Sequence, residues 1–186
     1  MVRVIAGRFK NRRLKTLEGT ATRPTSDRLK ETLFDILQDQ IPGAVFLDAF
    51  AGCGSVGIEA LSRGAASTTF IEQSPQAEKV ILENLKSLRE LSEKEYFVLR
   101  LASDRALKRL GQLSRNFDMV FIDPPYVAWK EYPSFFEQLQ ENRLLSDTAI
   151  IIAEHSRRLA LGEHFGSLVR FRQLQQGDSV LSFFHL

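Results

Sequence analysis

Cysteine is almost absent from this sequence, with Cys53 the only one among 186 residues. A single thiol excludes an internal disulfide and a zinc site built from several thiolates, and it favours a reducing compartment. Histidines are also few, and His155, His164 and His185 lack the spacing of metal ligands. We therefore expect no metal site, and we assign Cys53 no nucleophilic role because the sequence places no base near it.

Long hydrophobic runs are also missing, since no apolar stretch approaches the roughly 20 residues that span a bilayer. Residues 1–7 are too few, and too soon followed by Arg8, for the apolar core of a secretory signal. We therefore expect a cytoplasmic protein without a membrane partner. The hydrophobic fraction of 44% and the charged fraction of 26% are ordinary for globular proteins.

The charge is unevenly distributed along the chain. Residues 1–30 carry nine Lys or Arg against Glu18 and Asp27, whereas acidic residues outnumber basic ones in the remainder. A basic segment attracts polyanions through phosphate neutralisation and counterion release, so nucleic acid is the leading partner, and a merely solvated terminus is the alternative. The basic side chains expected at this contact are Arg3, Lys10, Arg12, Arg13, Arg23 and Arg28.

The first 24 residues alternate short apolar and basic pieces broken by glycines and a proline, which predicts a hairpin or an extended arm. A helix is predicted over 25–40, with Thr25 or Ser26 as its cap. We accordingly divide the chain into a basic arm, 1–24, and one larger domain, 25–186.

From residue 44 onward, short apolar runs alternate with amphipathic segments. One helix is clearly marked, because Ser74 is a good cap and Pro75 suits the first helical position. The alternation predicts an α/β fold with a mostly parallel, doubly wound sheet covered by helices on both faces. The last two runs predict an antiparallel hairpin that closes one edge. The predicted strands are 44–48, 68–72, 96–101, 117–122, 149–154, 168–174 and 179–185.

A glycine-rich string follows the first predicted strand of this sheet. Gly52 and Gly54 would let the backbone turn sharply against a ligand, and Gly57 would let the next helix pack closely on the sheet. These glycines suit NAD and S-adenosylmethionine equally. Asp48 favours S-adenosylmethionine, because a carboxylate at this turn repels a diphosphate and attracts an ammonium and a sulfonium.

Polar residues also follow the next two predicted strands. Glu72, about twenty residues beyond Gly52, lies where a carboxylate commonly accepts both ribose hydroxyls. Ser103 and Asp104 are predicted to reach the adenine amine of the same cofactor. The alternative for these acids is a helix-capping role.

A second motif, Asp123-Pro124-Pro125-Tyr126, follows the fourth strand, which neighbours the first in common doubly wound sheets. The Asp123 carboxylate and the Pro124 carbonyl would both accept hydrogen bonds from an exocyclic amine, and Tyr126 would stack on the ring. Only an unpaired or flipped-out base could enter such a pocket. Trp129 would extend the stacking surface, with simple packing as the alternative.

At this point several strings closely resemble the bacterial 16S ribosomal RNA guanine-N2 methyltransferases. The strings are Arg3-Val4-Ile5-Ala6-Gly7, Thr22 to Arg28, Phe50-Ala51-Gly52, Leu61-Ser62-Arg63-Gly64-Ala65 and Asp123 to Tyr126. The resemblance implies a class I S-adenosylmethionine-dependent methyltransferase with a Rossmann-like fold. It also implies methylation of the N2 amine of one guanine in 16S ribosomal RNA, either free or within a small ribosomal subunit. We expect a monomer.

The resemblance also implies roles for particular residues. Cys53 stands where the family usually has a hydroxyl residue and Asn11 where it often has glycine, and neither departure removes a proposed chemical group. By matching position, the donor site would be lined by Asp48, Gly52, Gly54, Glu72 and Asp104, the guanine site would comprise Asp123 to Tyr126, and Arg23 to Arg28 would form a loop near both. Phe50 and Ala51, which precede Gly52 in the turn, are predicted to bind the cofactor as well.

Three other interpretations stay open from the residues alone. The second motif could serve the N6 amine of adenine in DNA or a protein amide, although the basic arm disfavours the amide. An NAD-linked dehydrogenase would explain the glycines and leave Asp123 unused. A non-catalytic RNA-binding assembly factor would need only the arm.

Overall fold

Helices and strands alternate along most of the chain, as the sequence predicts. The computed structural model describes residues 2–17, 26–125 and 131–186. The strands are β1 (Val2–Arg3), β2 (Arg13–Leu14), β3 (Val45–Ala49), β4 (Ser67–Ile71), β5 (Tyr96–Leu99), β6 (Phe117–Ile122), β7 (Leu145–Ser156), β8 (His164–Phe165), β9 (Leu168–Gln176) and β10 (Ser179–His185). The helices are α1 (Asp27–Ile36), α2 (Ser55–Ser62), α3 (Pro75–Ser87), α4 (Ser103–Gln112) and α5 (Glu131–Glu141), with a 3-10 turn at Glu93–Glu95.

Eight strands form one sheet in the order β5-β4-β3-β6-β7-β10-β9-β8. Strands β3 to β7 run parallel to one another, and β10 is antiparallel to both β7 and β9. The strand order reverses between β3 and β6, which are hydrogen-bonded neighbours. The predicted doubly wound sheet and its antiparallel hairpin are therefore confirmed, although the two-residue strand β8 is the actual edge.

Helices cover both faces of the sheet, as expected for buried parallel strands. On one face, Phe46 of β3 packs with α1 and α2, and Phe70 of β4 packs with α2 and α3. On the opposite face, Leu47 and Ile71 pack with α4 and α5. Because side chains alternate along each strand, every second apolar residue is assigned to the same face. Within the described ranges, no helix is long and apolar enough to cross a membrane.

The predicted helix caps are confirmed. Ser26 Oγ accepts a hydrogen bond from the Leu29 amide at 3.2 Å, and Ser74 Oγ accepts one from the Ala77 amide at 3.4 Å. Pro75 occupies the first position of α3. Both caps satisfy backbone N–H groups that the helix itself leaves without partners.

Some predicted boundaries were wrong. Helix α1 ends at Ile36 instead of residue 40, because the amides of Gln40 and Ile41 turn back to the carbonyl of Leu37. This turn buries Ile41 and reverses the chain before β3 begins. Helix propensity alone does not reveal the turn, since the apolar spacing continues through it.

The strand limits also differ from the prediction in β5 and β7. Strand β5 ends at Leu99 instead of residue 101. Strand β7 begins at Leu145, four residues early, because Leu145 pairs with Phe117 across a register shift. The polar stretch after Leu145 resembles a loop, and pairing with a neighbour overrides that local preference.

The N-terminal segment forms the predicted hairpin and packs on the main body. Strands β1 and β2 pair antiparallel, with Val2 opposite Leu14. The turn between them contains Asn11 at φ 68°, a backbone region that glycine adopts freely and asparagine tolerates best among other residues. Division of the chain at residue 24 stays a prediction. The apolar side chains Val2, Val4, Phe9 and Leu14 are buried with residues of α2 and α3.

A buried ion pair fastens this hairpin to the helices. Lys30 of α1 is fully buried, donates to the carbonyl of Arg3 at 2.6 Å and lies 3.7 Å from the Glu59 carboxylate of α2. Glu59 also accepts the amides of Ile5 and Ala6 at 2.8 and 3.0 Å. Burial lowers the pKa of Lys30, and Glu59 opposes that shift. Removal of Glu59 would leave the charge of Lys30 buried without its carboxylate, whereas Glu59 would keep the Arg63 guanidinium at 2.8 Å if Lys30 were removed.

Candidate active site

A cavity of about 920 Å³ opens where β3 and β6 end side by side. The last paired residues are Ala49 and Ile122, so the chain leaves the sheet at Phe50 on one strand and at Asp123 on the other. Both predicted motifs therefore face one cavity, as a strand-order reversal requires. The predicted site residues among its lining are Asp48, Phe50, Ala51, Gly52, Glu72, Ser103, Asp104, Asp123 and Pro124.

The three glycines of the turn have different surroundings, since one lines the cavity and another packs against the core. Gly52, at φ 57°, lines the cavity, and no atom lies within 4 Å of where its Cβ would be. Gly54, at φ 77°, precedes α2 and is not among the lining residues. A Cβ on Gly57 would lie 2.3 Å from the Phe70 ring, so this glycine permits the close helix packing that was predicted. The cofactor-binding role of Gly54 stays a prediction.

Phe50 lies in a strained part of this turn. Its φ of 62° is a left-handed value that non-glycine residues rarely adopt. The Phe50 ring packs against Phe135 of α5, with ring centroids 5.6 Å apart. Such strain persists where surrounding packing enforces it, and it is frequent at ligand sites.

Asp48 is buried at the base of the cavity. Its Oδ2 accepts the Gly57 amide at 2.8 Å, which fixes the carboxyl beneath the glycine turn. Burial raises the pKa of Asp48 to about 8, the Gly57 hydrogen bond opposes the shift and the nearby Glu72 adds to it. A cation bound here would favour the ionised carboxylate and reverse much of this shift.

Glu72 joins the glycine turn to the start of α3. One carboxylate oxygen accepts the Gly52 amide at 2.9 Å, and the other accepts the Ser74 amide at 2.8 Å. These two bonds hold the carboxylate in one orientation at the cavity wall. Its remaining lone pairs are chemically suited to hydroxyl donors, as the predicted ribose contact requires.

Asp123 lies at the acceptor end of the cavity, beside a second acid that the sequence reasoning missed. Glu154 on β7 is one residue beyond Ala153, the pairing partner of Ile122. Burial raises the pKa of Asp123 well above its usual range, and the neighbouring Glu154 and Asp48 raise it further. Glu154 could have been recognised, because it follows an apolar strand as Glu72 does. Tyr126 and Trp129 lie outside the described residues.

The cavity is rich in acids, with six acidic side chains and no Lys, Arg or His among its described lining residues. A diphosphate-bridged nucleotide would be repelled by this lining, whereas a sulfonium and an ammonium would be attracted. The chemistry of the lining therefore fits the cationic methyl donor. The acids are Asp48, Glu72, Asp104, Asp123, Glu131 and Glu154.

The described basic residues that were predicted to contact nucleic acid are exposed and lie outside the lining of the acidic cavity. Lys10, Arg12 and Arg13 are exposed on the hairpin, and Arg28 lies on α1 instead of in the predicted loop. No ion pair within the described ranges involves these four residues, whereas Arg3 lies 3.4 Å from Asp27. Arg23 lies outside the described residues.

A buried amide connects the hairpin with the glycine turn. Asn84 of α3 accepts the Lys15 amide at 2.8 Å, and its side-chain nitrogen donates to the carbonyls of Lys15 and Cys53 at 3.0 and 2.9 Å. The residues after Lys15, Thr16 and Leu17, line the cavity. A polar residue within the apolar face of α3 was the signal for this connection, and sequence reasoning missed it.

A family model described as conserved hypothetical protein 95 matches residues 2–185. The chain belongs to this family. A curated relative from Haemophilus influenzae, named ribosomal RNA small subunit methyltransferase D, is 39% identical over 153 residues, which cover 82% of this chain and 78% of the relative. The predicted family resemblance is thereby confirmed.

Two solved structures have the same fold as this protein. A hypothetical protein from Thermus thermophilus superposes with a TM-score of 0.85 at 27% identity and covers 100% of both chains. SMU.776, described as a candidate methyltransferase in complex with S-adenosylhomocysteine, has a TM-score of 0.69 at 15% identity and covers 84% of this chain and 49% of its own. The class I methyltransferase fold is thereby confirmed, and S-adenosylhomocysteine is a ligand of SMU.776 itself.

Proposed function

We propose that this protein transfers a methyl group from S-adenosylmethionine to the exocyclic N2 amine of a guanine in 16S ribosomal RNA. The observation that carries the proposal is one acidic cavity that contains both the glycine turn and Asp123. The name of the Haemophilus influenzae relative supports small-subunit ribosomal RNA as the substrate class. The guanine N2 atom comes from the family resemblance of the sequence.

On this proposal, the acids near the glycine turn hold the donor. Asp48 attracts the positive charge, Glu72 accepts the ribose hydroxyls, and Ser103 with Asp104 at the start of α4 reaches the adenine. Phe50, Ala51 and Gly52 form the adjoining wall, and the left-handed φ values of Phe50 and Gly52 bend the backbone toward the ligand.

The second motif holds the amine. The Asp123 carboxyl and the Pro124 carbonyl accept its two N–H groups, which orients the nitrogen lone pair toward the donor. Such positioning of two reactants supplies roughly 7–11 kcal/mol of the barrier reduction, so a strong base is not required before transfer. When bound, S-adenosylmethionine supplies a methyl carbon whose bond to sulfur breaks as its bond to nitrogen forms, and the nitrogen then loses one proton. A carboxylate of raised pKa, such as Asp123, is suited to receive that proton.

We assign the RNA contact to the exposed basic side chains of the hairpin. Lys10, Arg12 and Arg13 neutralise phosphates outside the cavity. The proposal assigns Arg3, Arg23 and Arg28 to the same RNA contact. The target base must be unpaired or flipped out to enter. Stacking by Tyr126 and Trp129, a small-subunit particle as the substrate and a monomeric enzyme are further parts of the proposal.

The same cavity also suits the N6 amine of adenine, which is the nearest alternative within methyl transfer. A dehydrogenase is disfavoured by the acidic lining, which repels a diphosphate. A purely RNA-binding assembly factor would leave the buried acids without a use.

The experiment is a transfer of tritiated methyl groups to ribosomal RNA taken from a strain that lacks the gene. Digestion of the labelled RNA to nucleosides should give N2-methylguanosine, and Asp123→Ala should lower the rate of labelling by roughly 10²–10³-fold. Label in N6-methyladenosine, or no transfer by the wild-type protein to either RNA or particles, would contradict the proposal.

A further inference from the structure

The acceptor end of the cavity holds two acids on neighbouring strands. Ile122 pairs with Ala153, so Asp123 and Glu154 are the next residues in register. Parallel strands lie about 4.8 Å apart, which places the two side chains close together when they point to the same side. Both residues line the cavity, and Glu154 raises the pKa of Asp123. The two acids therefore form one local acceptor surface.

Glu154 is held in place within the protein. Only 6% of Glu154 is exposed, and the Ser179 hydroxyl donates to its Oε1 at 3.1 Å. Its backbone carbonyl accepts a hydrogen bond from the Tyr132 hydroxyl. Glu154 is therefore positioned like a residue that recognises a ligand and not like a solvated surface acid.

The Watson–Crick edges of the two candidate bases differ at the atom next to the reacting amine. Guanine has a hydrogen on N1 beside its N2 amine, whereas adenine has a bare N1 beside its N6 amine. A carboxylate facing this atom accepts the N1–H of guanine and repels the lone pair of adenine. Two neighbouring acids together match the three N–H bonds of the guanine edge better than the two of adenine.

We propose that Glu154 accepts the N1–H of the target guanine and thereby selects guanine over other amino-purines. This inference rests on the proposed function, because it specifies how the acceptor site recognises its base. Glu154 is thus assigned to base specificity, and Asp123 to the reacting amine.

A base analogue tests the assignment directly. 2-Aminopurine keeps the amine at position 2 but has no hydrogen on N1, so it is placed at the mapped guanine in the RNA or particle that serves as substrate. Inosine at the same position lacks the amine and serves as the blank. For the wild-type protein, kcat/KM for guanine should exceed that for 2-aminopurine by about 30-fold.

The variant Glu154→Gln should remove most of this preference. Its amide oxygen still accepts the N1–H of guanine, and its amide nitrogen can donate to the bare N1 of 2-aminopurine. The ratio between the two bases should therefore fall to about 3-fold or less. Glu131→Gln, which removes another acid from the same cavity, is the matched control and should keep the wild-type ratio.

The outcomes separate this inference from the proposed function. Equal wild-type rates on guanine and 2-aminopurine would overturn the inference and leave N2 methylation standing, even if the variant failed to fold. An unchanged ratio in a folded Glu154→Gln protein would also overturn it. Wild-type methylation of neither base, with label on adenine, would overturn the proposed function itself.

Discussion

The cavity and the hairpin are adjacent in the structure and opposite in charge. The described lining of the cavity has six acidic side chains and no basic one, whereas Lys10, Arg12 and Arg13 are exposed on the hairpin without acidic partners in the described part of the chain. A net charge of +2 conceals both features. The difference indicates two ligands of opposite charge: a cation inside the cavity and a polyanion outside it.

This separation also explains how one nucleotide could use both regions. Its phosphates would remain on the basic hairpin, and only the uncharged base would enter the acidic cavity. Asn84 is the physical connection between the two regions, because it bonds both to Lys15 and to the Cys53 carbonyl. Variants that alter one region and spare the other therefore test the comparison.

The largest expected effect is at the acceptor end of the cavity. Asp123→Ala removes one of the two proposed amine acceptors, so kcat should fall by roughly 10²–10³-fold. The dissociation constant for S-adenosylmethionine, measured by calorimetry, should change by less than about threefold, because transition-state contacts and donor contacts are separate. Near-normal turnover would remove Asp123 from the site.

The connection between the regions should matter for folding. Asn84→Ala leaves two carbonyls and one amide without their partner, which should lower the free energy of unfolding by about 2–4 kcal/mol in urea titration. Donor binding should weaken as well, since the Cys53 carbonyl belongs to the glycine turn. Glu83→Ala on the same helix is the control, because it removes only an exposed ion pair with Lys15, and it should leave the free energy of unfolding nearly unchanged. Equal losses for the two variants would contradict the special position of Asn84.

Asp48→Asn should weaken S-adenosylmethionine binding by roughly 10- to 100-fold, because a charge-assisted contact becomes a neutral one. Since the pKa of Asp48 is about 8 in the free protein, binding of a cation should release a proton near neutral pH. Wild-type affinity should therefore rise with pH up to about 8, by at most about tenfold per pH unit. The rise attributable to Asp48 should be absent in the variant, and an equal pH dependence in both proteins would contradict it.

Asp48 should also influence stability with pH. Between its ordinary value of 3.8 and about 8, the folded protein holds a proton that the unfolded chain has lost, so this residue makes folding less favourable as pH rises. The contribution levels off above about pH 8, and Asp48→Asn lacks it. Thermal unfolding of both proteins from pH 5 to 9 measures the difference. A wild-type stability that rose relative to the variant over this range would contradict the assignment.

The smallest effect is expected on the hairpin. Replacement of Arg12 and Arg13 by Ala should weaken RNA binding about 3- to 10-fold and lower the salt slope by about 1–2, without a change in donor affinity. Lys108→Ala with Arg109→Ala on α4 removes the same charge from another exposed surface and is the control. Equal changes in salt slope for the two double variants would show that the hairpin is not the RNA contact.

The sequence predicted the cavity better than the elements that support it. Asp48, Glu72 and Asp123 were located correctly at strand ends, because strand periodicity and a doubly wound topology fix which ends meet. The end of α1 was wrong, since apolar spacing continues through the turn that follows Ile36. Local sequence patterns predict where strands end and which residues cap helices, but they do not predict turns that depend on packing.

Long-range polar contacts were the main omission. Glu154, Asn84 and the buried Lys30 each bond to residues far away in the chain, and nothing in their own neighbourhoods reports those partners. Glu154 offered a partial signal as an acid after an apolar run. Lys30 offered none, because a lysine on an amphipathic helix is normally exposed.

The most direct test of the central claim is calorimetric titration of the wild-type protein with S-adenosylmethionine and, separately, with NADH in two buffers that differ in ionisation enthalpy. The acidic cavity predicts binding of S-adenosylmethionine with release of a proton at about pH 7 and no detectable binding of NADH. Binding of NADH, with S-adenosylmethionine inert, would contradict the account.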